Sequence, residues 1–328
     1  MEEKYKIAVV IPTLNEELYI RDCLNSVISQ SFPFSEMDVM VIDGGSRDRT
    51  RETVAGFCER YPNIRLIENP KKIQSAAFNT GVANSSAPYI VRLDAHSTYN
   101  REYIELCIKH LVENEKIGNA GGICNVISRN SGLVPEANAI LNKVRFGIGG
   151  ASFRIGAKAG FTDTVPFGSF PRKVIEEIGG MREDLPRGED NEFNNRIRKA
   201  GYKIYLDPEI VCTYYSRDTF RGSVGQMYAN GVSIGRLLHI DPSSVSLRHL
   251  VPLAFVLSLA LSLVAGIFWR PAFLVFAVIF GLYITASITA TISACCRYGK
   301  RFFFILPLLF LCVHCAYGWG TISGILKR

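Results

Sequence analysis

The sequence predicts an α/β fold, with a mainly parallel sheet between helices, followed by helices that enter a membrane. Three observations carry this reading. Apolar runs of strand length alternate with stretches of helical spacing through the first third of the chain, polar clusters follow three of those runs, and no Asp or Glu occurs from Leu250 to the end. Solid apolar runs without polar alternation mark strands buried on both faces, as in a parallel sheet covered by helices.

Residues 6–11 (KIAVVI) form the first such run, and Pro12-Thr13-Leu14-Asn15-Glu16 breaks it before helical spacing at Leu18, Ile20, Cys23, Leu24, Val27 and Ile28. Residues 38–42 repeat the pattern and end in Asp43-Gly44-Gly45-Ser46, a glycine turn followed by helix-capping residues and a helix to about Arg60. A third strand over 64–68, a third helix over 74–83, a fourth strand over 89–93 and a helix over 101–113 complete the alternation. Past Gly118 it fades. A strand over 118–127, helical spacing over 135–146, a strand leading into a loop over 161–170 and short helices over 172–178 and 191–200 are expected there, the last stopped by Gly201 and followed by a strand over 202–206. Residues 219–240 read as one long helix with polar breaks at Gly222, Gly225, Gly231 and Gly235.

Residues 250–269, 272–294 and 302–325 carry no charge and are each long enough for a hydrocarbon core of ~30 Å. The third run contains Pro307, His314, Gly318 and Gly320, so a broken or re-entrant segment is an alternative to a straight span. The expected organisation is a domain over 1–240 and a membrane domain over 241–328. Of the 37 basic residues, Arg270, Arg297, Lys300, Arg301, Lys327 and Arg328 fall in the acid-free part, which accounts for most of the net charge of +7. That excess flanks apolar runs, which argues for a membrane and against nucleic acid as the partner. A cytosolic first domain places Arg297, Lys300 and Arg301 inside, as the positive-inside rule asks, and leaves Lys327 and Arg328 in mild conflict with it. Nine cysteines with no framework of close spacings in the polar part suit a reducing compartment, Cys312-Val313-His314-Cys315 has a ligand-like spacing but lies in an apolar run where such residues pack, and Met1 to Lys6 has no apolar core of the signal type. The expected location is the cell membrane, multi-pass, with the polar domain on the cytoplasmic face. His314 is read as a polar contact between helices.

Ligands of parallel sheets sit outside the carboxyl ends of the strands. That rule gathers Thr13, Asn15 and Glu16 after strand one, Asp43 and Ser46 after strand two, and Asp94 and His96 after strand four at one edge. In Arg92-Leu93-Asp94-Ala95-His96 an acid and an imidazole stand two apart, and in an extended segment they share a face and can hold one metal ion. The plainer alternative is a turn-capping Asp beside a solvated His. Asn15 and Glu16 can likewise merely start a helix, Asp43 can merely shape a turn, and Glu189 and Asp190 can merely cap the helix that follows them.

In their order along the chain, Val9 to Glu16 (VVIPTLNE), Val41 to Asp48 (VIDGGSRD), Ser75 to Gly81 (SAAFNTG), Leu93-Asp94-Ala95-His96 and Gly188-Glu189-Asp190 resemble the motifs of family 2 glycosyltransferases over roughly residues 5–240. Within that family the D-A-H triplet, Arg217, the segment from Gln226 to Gly231 and the terminal apolar runs are most similar to the succinoglycan-type enzymes of exopolysaccharide synthesis. The resemblance implies the GT-A nucleotide-diphospho-sugar transferase fold. It implies that Pro12, Thr13, Asn15, Glu16, Asp43, Lys72 and Asp94 bind the nucleotide, that Asp94 and His96 hold Mg²⁺ or Mn²⁺, and that Asp190 is the catalytic base. Glu189, Arg217 and Gln226 would lie on the acceptor side, and Lys72 and Gln74 are equally compatible with a solvated loop. His96 replaces the family's usual second Asp, which softens the site toward Mn²⁺. The implied partners are a nucleotide-diphosphate sugar, a lipid-linked saccharide acceptor and the membrane. The implied reaction adds one sugar from a UDP-sugar, glucose foremost, to a polyprenyl-diphosphate-linked saccharide with inversion. Gln226-Met227-Tyr228-Ala229-Asn230 departs from the Q-x-x-R-W element of processive members, which favours single transfer. Two alternatives are transfer to polyprenyl phosphate, as in enzymes of the dolichyl-phosphate-mannose-synthase type, and a non-catalytic membrane scaffold.

Overall fold

The structure, a computed structural model, describes residues 5–150, 152–156, 158–185 and 187–327. Residues 1–4 and Arg328, on which parts of the terminal charge reading fall, lie outside them. In chain order the elements are β1 (Ile7–Thr13), α1 (Ile20–Ile28), β2 (Met37–Asp43), α2 (Thr50–Arg60), β3 (Ile64–Glu68), α3 (Gln74–Ala83), β4 (Tyr89–Arg92), β5 (Ser97–Tyr99), α4 (Tyr103–Glu113) and β6 (Ile117–Ile127). They continue as α5 (Leu133–Lys143), α6 (Arg145–Ile148), α7 (Ser152–Ile155), β7 (Gly160–Thr162), β8 (Ser169–Pro171), α8 (Arg172–Ile178), α9 (Glu189–Lys199), β9 (Lys203–Tyr215), α10 (Phe220–Ile240), α11 (Leu247–Phe268), α12 (Ala272–Tyr298) and α13 (Ile305–Leu326). Two compact units result, one of Met1–Asn125 with Ser152–Tyr214, the other of Val126–Ala151 with Tyr215–Arg328.

The first unit is organised by a sheet of strand order β3-β2-β1-β4-β8-β6-β9-β5, with β7 paired to β9. β1 and β2 are buried along their whole length, which is why their sequences are apolar without alternation. β3, β2, β1 and β4 are mutually parallel, whereas β8 runs antiparallel to β4 and to β6, and β5 and β7 run antiparallel to β9. The sheet is therefore mixed, and the mainly parallel sheet expected from the sequence is its first half. β5, β7 and β8 have three residues each, too few to register as a period. β9 runs on through Asp207 and Pro208 to Tyr215, well beyond the strand over 202–206 expected from the sequence.

Register sets the functional edge. Thr13 pairs with Asp43 and Asp43 with Glu68, and the N–H of Leu93, one residue before Asp94, donates to the Val10 carbonyl at 2.9 Å. On the sheet's far half Phe78, Phe170 and Phe193 meet edge to face with centroids 5.3 to 5.8 Å apart, a geometry that adds to their burial. Phe193 and Ile197 are buried on one face of α9, which anchors that helix in the core.

In the second unit, α11, α12 and α13 have 22, 27 and 22 residues and are long and apolar enough to cross a membrane. Glycines decide how α13 packs. A Cβ on Gly231 or Gly235 of α10 would stand 2.1 and 2.3 Å from the carbonyl oxygens of Tyr317 and Thr321, and one on Gly320 or Gly324 of α13 would stand 2.2 Å from those of Tyr228 and Val232. Gly231-x-x-x-Gly235 and Gly320-x-x-x-Gly324 thus lie backbone against backbone, the small-residue contact that lets apolar helices approach closely. The readings of polar breaks in α10 and of a broken α13 are corrected accordingly. Gly231 and Gly235 form a contact surface, and α13 is continuous because Pro307 sits in its first turn, where no helical N–H is needed. His314 bonds Tyr283 Oη at 2.9 Å and the Gly147 carbonyl at 2.8 Å, a polar contact tying α13 to α12 and α6.

Replacing Gly320 with Val is expected to lower stability by about 1–3 kcal/mol through overpacking. Gly225→Ala, in the same α10 but with nothing within 4 Å of the added Cβ, is expected to be neutral or stabilising by up to ~1 kcal/mol. Thermal unfolding of the solubilised protein checks both, and equal melting of the two variants would refute the contact.

Candidate functional site

The loop after β1 and the turn after β2 are laced together. Asn15 takes a left-handed conformation (φ 56°), its amide donates to Ser46 Oγ at 2.8 Å and its side-chain oxygen accepts from the Arg47 amide at 2.9 Å. The Glu16 amide donates to Thr50 Oγ1 at 2.8 Å, and Thr13 Oγ1 donates to the Ile11 carbonyl at 3.0 Å. Asn15 is thus engaged in shaping the loop, and the Glu16 carboxylate is left to reach elsewhere.

Asp43 is committed to its own turn. Its Oδ2 accepts from the amides of Gly45 and Ser46 at 3.0 Å each and from Arg51 Nη1 at 3.2 Å, while Oδ1 accepts from the Ser46 hydroxyl. Its side chain has no exposed surface. Arg51 in turn reaches Glu68 at 3.0 Å. Lys72, also left-handed (φ 58°), lies over the glycine turn, with Nζ 3.9 Å from where a Cβ of Gly45 would stand. It is exposed and has no carboxylate partner among the described residues, which suits a group that meets phosphate.

Asp94 and His96 do not continue β4. The Ser97 amide donates to the Asp94 carbonyl at 3.2 Å, so Asp94 to Ser97 is a turn, and the shared strand face expected from the sequence is replaced by this reversal. The turn still brings the side chains together, with His96 Nδ1 3.5 Å from Asp94 Oδ1 and 3.1 Å from Glu16 Oε1. Tyr99 Oη, buried and pushed well above its ordinary range by that burial, stays protonated. It accepts from the Asp94 amide at 2.6 Å and donates to the Asp94 carbonyl at 3.1 Å. Tyr214 packs edge-on against the imidazole at 4.9 Å between centroids. Burial opposes charge on His96, but Asp94 and Glu16 outweigh it and raise the imidazole to about 10.

Among the described residues no three His, Cys, Asp or Glu side chains form a preformed metal cage. The donor set of Asp94, His96 and Glu16 nevertheless fits a divalent cation whose remaining ligands are diphosphate oxygens. Such ions take one or two protein ligands at phosphate sites, and a cation held here would compete with the proton that Asp94 and Glu16 favour on the imidazole.

The second pole of the site is the first turn of α9. Gly188, left-handed at φ 80°, starts the helix, and Glu189 and Asp190 follow. Arg92, the last residue of β4, is 3% exposed, and its guanidinium bonds Asp190 Oδ1 through Nη1 and faces Glu189 Oε1 at 3.7 Å through Nη2. Glu189 is buried, whereas the Asp190 side chain is 43% exposed, so the pair is not symmetric. Burial and then the neighbouring Asp190 raise Glu189 to about 7, partly offset by Arg92. The sequence reading gave Arg92 no role. The signal was there, since arginine inside an apolar strand is almost never buried without partners. Arg217 and Gln226 belong to the second unit. The carbonyl of exposed Arg217 accepts from Asn138 Nδ2 at 2.7 Å, and Gln226 is half-buried in α10.

The mixed sheet thus carries an acid–imidazole turn after β4, and Arg92 ties the acidic start of α9 to the end of that same strand. Residues 8–179 match the family described as glycosyl transferase family 2, and the chain belongs to it. It is a glycosyltransferase with the GT-A fold. It is 29% identical over 98% of its length, and 97% of the relative's, to the dolichyl N-acetyl-alpha-D-glucosaminyl phosphate 3-beta-D-2,3-diacetamido-2,3-dideoxy-beta-D-glucuronosyltransferase of Methanococcus voltae. It is 30% identical to the succinoglycan biosynthesis protein ExoA of Rhizobium meliloti, over 75% of this chain and 74% of that one. Its fold is similar, at a TM-score of 0.60 and 18% identity, to a mannosyltransferase of Pyrobaculum calidifontis solved with GDP-Man and Mn2+, covering 97% of this chain and 88% of that one.

Glu189 sets a pH dependence. A carboxyl raised in the folded state binds its proton there at pH values where the unfolded chain has released it, so stability is full below about 4.5 and falls as pH rises through about 7. Glu189→Gln is expected to flatten that fall, read from urea midpoints at pH 5 and pH 8; a slope equal to wild type would remove Glu189 as its source.

Proposed function

We propose that this glycosyltransferase is an inverting enzyme that moves one sugar from a UDP-sugar, UDP-glucose first among candidates, to a lipid-linked saccharide. The observation that carries the reading is the asymmetric pair at the start of α9, where Arg92 holds a buried Glu189 and a half-exposed Asp190. Asp190 keeps carboxylate surface open to an incoming hydroxyl. As base it takes the proton of the acceptor hydroxyl while that oxygen attacks the anomeric carbon, and the nucleoside diphosphate leaves from the opposite face, which inverts the configuration. Arg92 acts as a positioning residue, holding the Asp190 carboxylate in one orientation without itself entering the reaction.

Lys72 over the Gly44-Gly45 turn and the backbone around Pro12 and Thr13 line the side where the nucleotide binds. Asp43 supports that surface by fixing the turn, and Asn15 by fixing the loop. Asp94 and His96 are the residues that would hold Mg²⁺ or Mn²⁺, with Glu16 behind His96. When bound, the cation stabilises the charge that develops on the diphosphate leaving group. The names of the relatives support a lipid-linked acceptor, since that of the Methanococcus voltae enzyme is a dolichyl phosphate sugar and ExoA belongs to succinoglycan synthesis. The apolar α11, α12 and α13 support a membrane location, with the first unit on the cytoplasmic face.

Membranes given labelled UDP-glucose are expected to label an oligosaccharide lipid. Asp190→Asn is expected to lower transfer by roughly 10²-fold or more while UDP affinity stays within a few-fold. Full transfer by this variant would remove Asp190 as base, and an acid-labile lipid monophosphate product would indicate transfer to polyprenyl phosphate instead. Arg92→Ala is expected to destabilise the first unit by about 3–5 kcal/mol, because it leaves the buried Glu189 without its cation. Arg92→Lys is expected to restore folding but only part of kcat, since an ammonium lacks the fork that engages both acids. Urea unfolding and single-turnover rates separate the two effects.

A further inference from the structure

The second unit contains a cavity of about 600 Å³ between the end of α5, α6 and the last three turns of α12. One end is cationic, with Lys143, Arg145 and Arg297 in the lining, and the rest is formed by small side chains of α12, among them Ala286, Ala290 and Ser293. Ala286, Ala290, Ser293 and Arg297 follow the four-three-four spacing of one helix face. At 1.5 Å per residue, Ala286 and Arg297 stand roughly 16 Å apart along the axis. The groove therefore runs from the charged end of an apolar helix into its membrane-compatible stretch. Ala286 and Ser293 are exposed, so it is open along its length.

No acid answers the charge at its mouth, where the Arg297 guanidinium lies over the Tyr298 ring at 5.9 Å. Arg301 is tied to Glu136, whereas Lys143, Arg145 and Arg297 make no ion pair among the described residues, and the chain has no acid beyond residue 249. Burial, and then the field of Arg297, draw Lys143 below the ordinary lysine range, the direction expected of cations gathered without a counter-charge. A helix face of small residues alone is more often a packing surface for another helix. The positive-inside rule accounts for Arg297 at the end of α12, but neither it nor a facing helix accounts for Lys143 and Arg145 joining it in one cavity lining without an acid. An amphiphile with an anionic head and a thin apolar chain answers both features. A diphosphate carries more charge for three cations to meet than the single negative charge of an ordinary phospholipid head.

We propose that this cavity binds the acceptor lipid, with its phosphate or diphosphate on Lys143, Arg145 and Arg297 and its prenyl chain along the Ala286–Ala290–Ser293 face of α12. The assignment rests on the lipid-linked acceptor reading above and adds to it the residues that hold the lipid.

Full-length protein in phosphatidylcholine nanodiscs, titrated with undecaprenyl diphosphate, tests it. Wild type is expected to bind and to keep binding when phosphatidylglycerol is added in excess. The combined Lys143→Gln, Arg145→Gln and Arg297→Gln variant is expected to weaken binding at least tenfold and to raise the KM for lipid acceptor while the KM for UDP-sugar is unchanged. Ala290→Trp, which fills the groove and keeps the charges, is expected to act in the same direction, so the test survives if the triple variant fails to fold. Unimpaired binding by the folded triple variant or by Ala290→Trp, or displacement by phosphatidylglycerol, overturns the assignment. If wild type transfers sugar to the lipid-linked acceptor and these variants transfer equally well, the cavity is ruled out and the lipid-acceptor reading stands. Wild-type transfer to a soluble saccharide with no lipid dependence removes that reading, and this assignment with it.

Discussion

The first unit depends on one buried cation. Arg92 ends a central strand at 3% exposure, and a guanidinium cannot shed its proton to escape the cost of burial, which is several kcal/mol for an isolated ion. Desolvation opposes its charge, and Asp190, Glu189 and Asp94 more than offset it. The first turn of α9 must therefore come to the end of β4, and Gly188 in a left-handed conformation lets the chain enter the helix with both acids turned toward Arg92. Since Arg92 is two residues from Asp94, the interaction that makes the buried charge tolerable also ties the helix start that carries Asp190 to the strand end that presents Asp94. Stability and site geometry here have the same cause.

Most of this was legible in the residues, and what was not has a physical reason. Strands β1, β2 and β4 could be read because each is built on a solid apolar run closed by a polar loop, and β3 because its short run of Ile64, Leu66 and Ile67 lies between two helical stretches. β5, β7 and β8 could not, because three-residue strands have no period. The Asp94–His96 pairing was anticipated from strand alternation, and the two side chains do meet, but through a turn whose bond runs from Ser97 to Asp94. Spacing of two is shared by extended segments and by tight reversals, so sequence separates residue proximity from its cause poorly. Arg92 was visible as a charge inside an apolar run, yet its partners lie 97 and 98 positions away, and nothing local identifies them.

Glycine shows the same limit in the second unit. In a water-soluble helix a glycine lowers stability, and the natural reading of Gly231, Gly235, Gly318 and Gly320 is a break. Among apolar helices, association is driven by close backbone approach, and the same residues become the contact. A Cβ on Gly318 would stand 2.4 Å from the Pro252 carbonyl of α11, while Gly320 and Gly324 meet α10, so one helix uses its glycines to pack on two neighbours. Which sense applies is decided by the partner helix, and the sequence of a single segment does not contain it.

The division of labour among the acids at the sheet edge follows from what each already holds. Asp43 spends its carboxylate on two amides, a hydroxyl and Arg51, so it offers no free anion to a ligand, and Glu68 meets the same arginine from the exposed side of the sheet edge. Glu189 is buried and raised to about 7, which leaves it poorly placed to meet an acceptor. Two sets remain: Glu16 and Asp94 around His96, and Asp190 with its exposed edge. The first gathers negative charge on an imidazole, an arrangement suited to a dication and a diphosphate. The second holds a single carboxylate by one side while leaving the other open, an arrangement suited to receiving a proton. Leaving-group stabilisation and base catalysis need opposite things of a carboxylate, crowding in one case and free surface in the other, and of the six acids Glu16 and Asp94 stand in the first environment and Asp190 in the second.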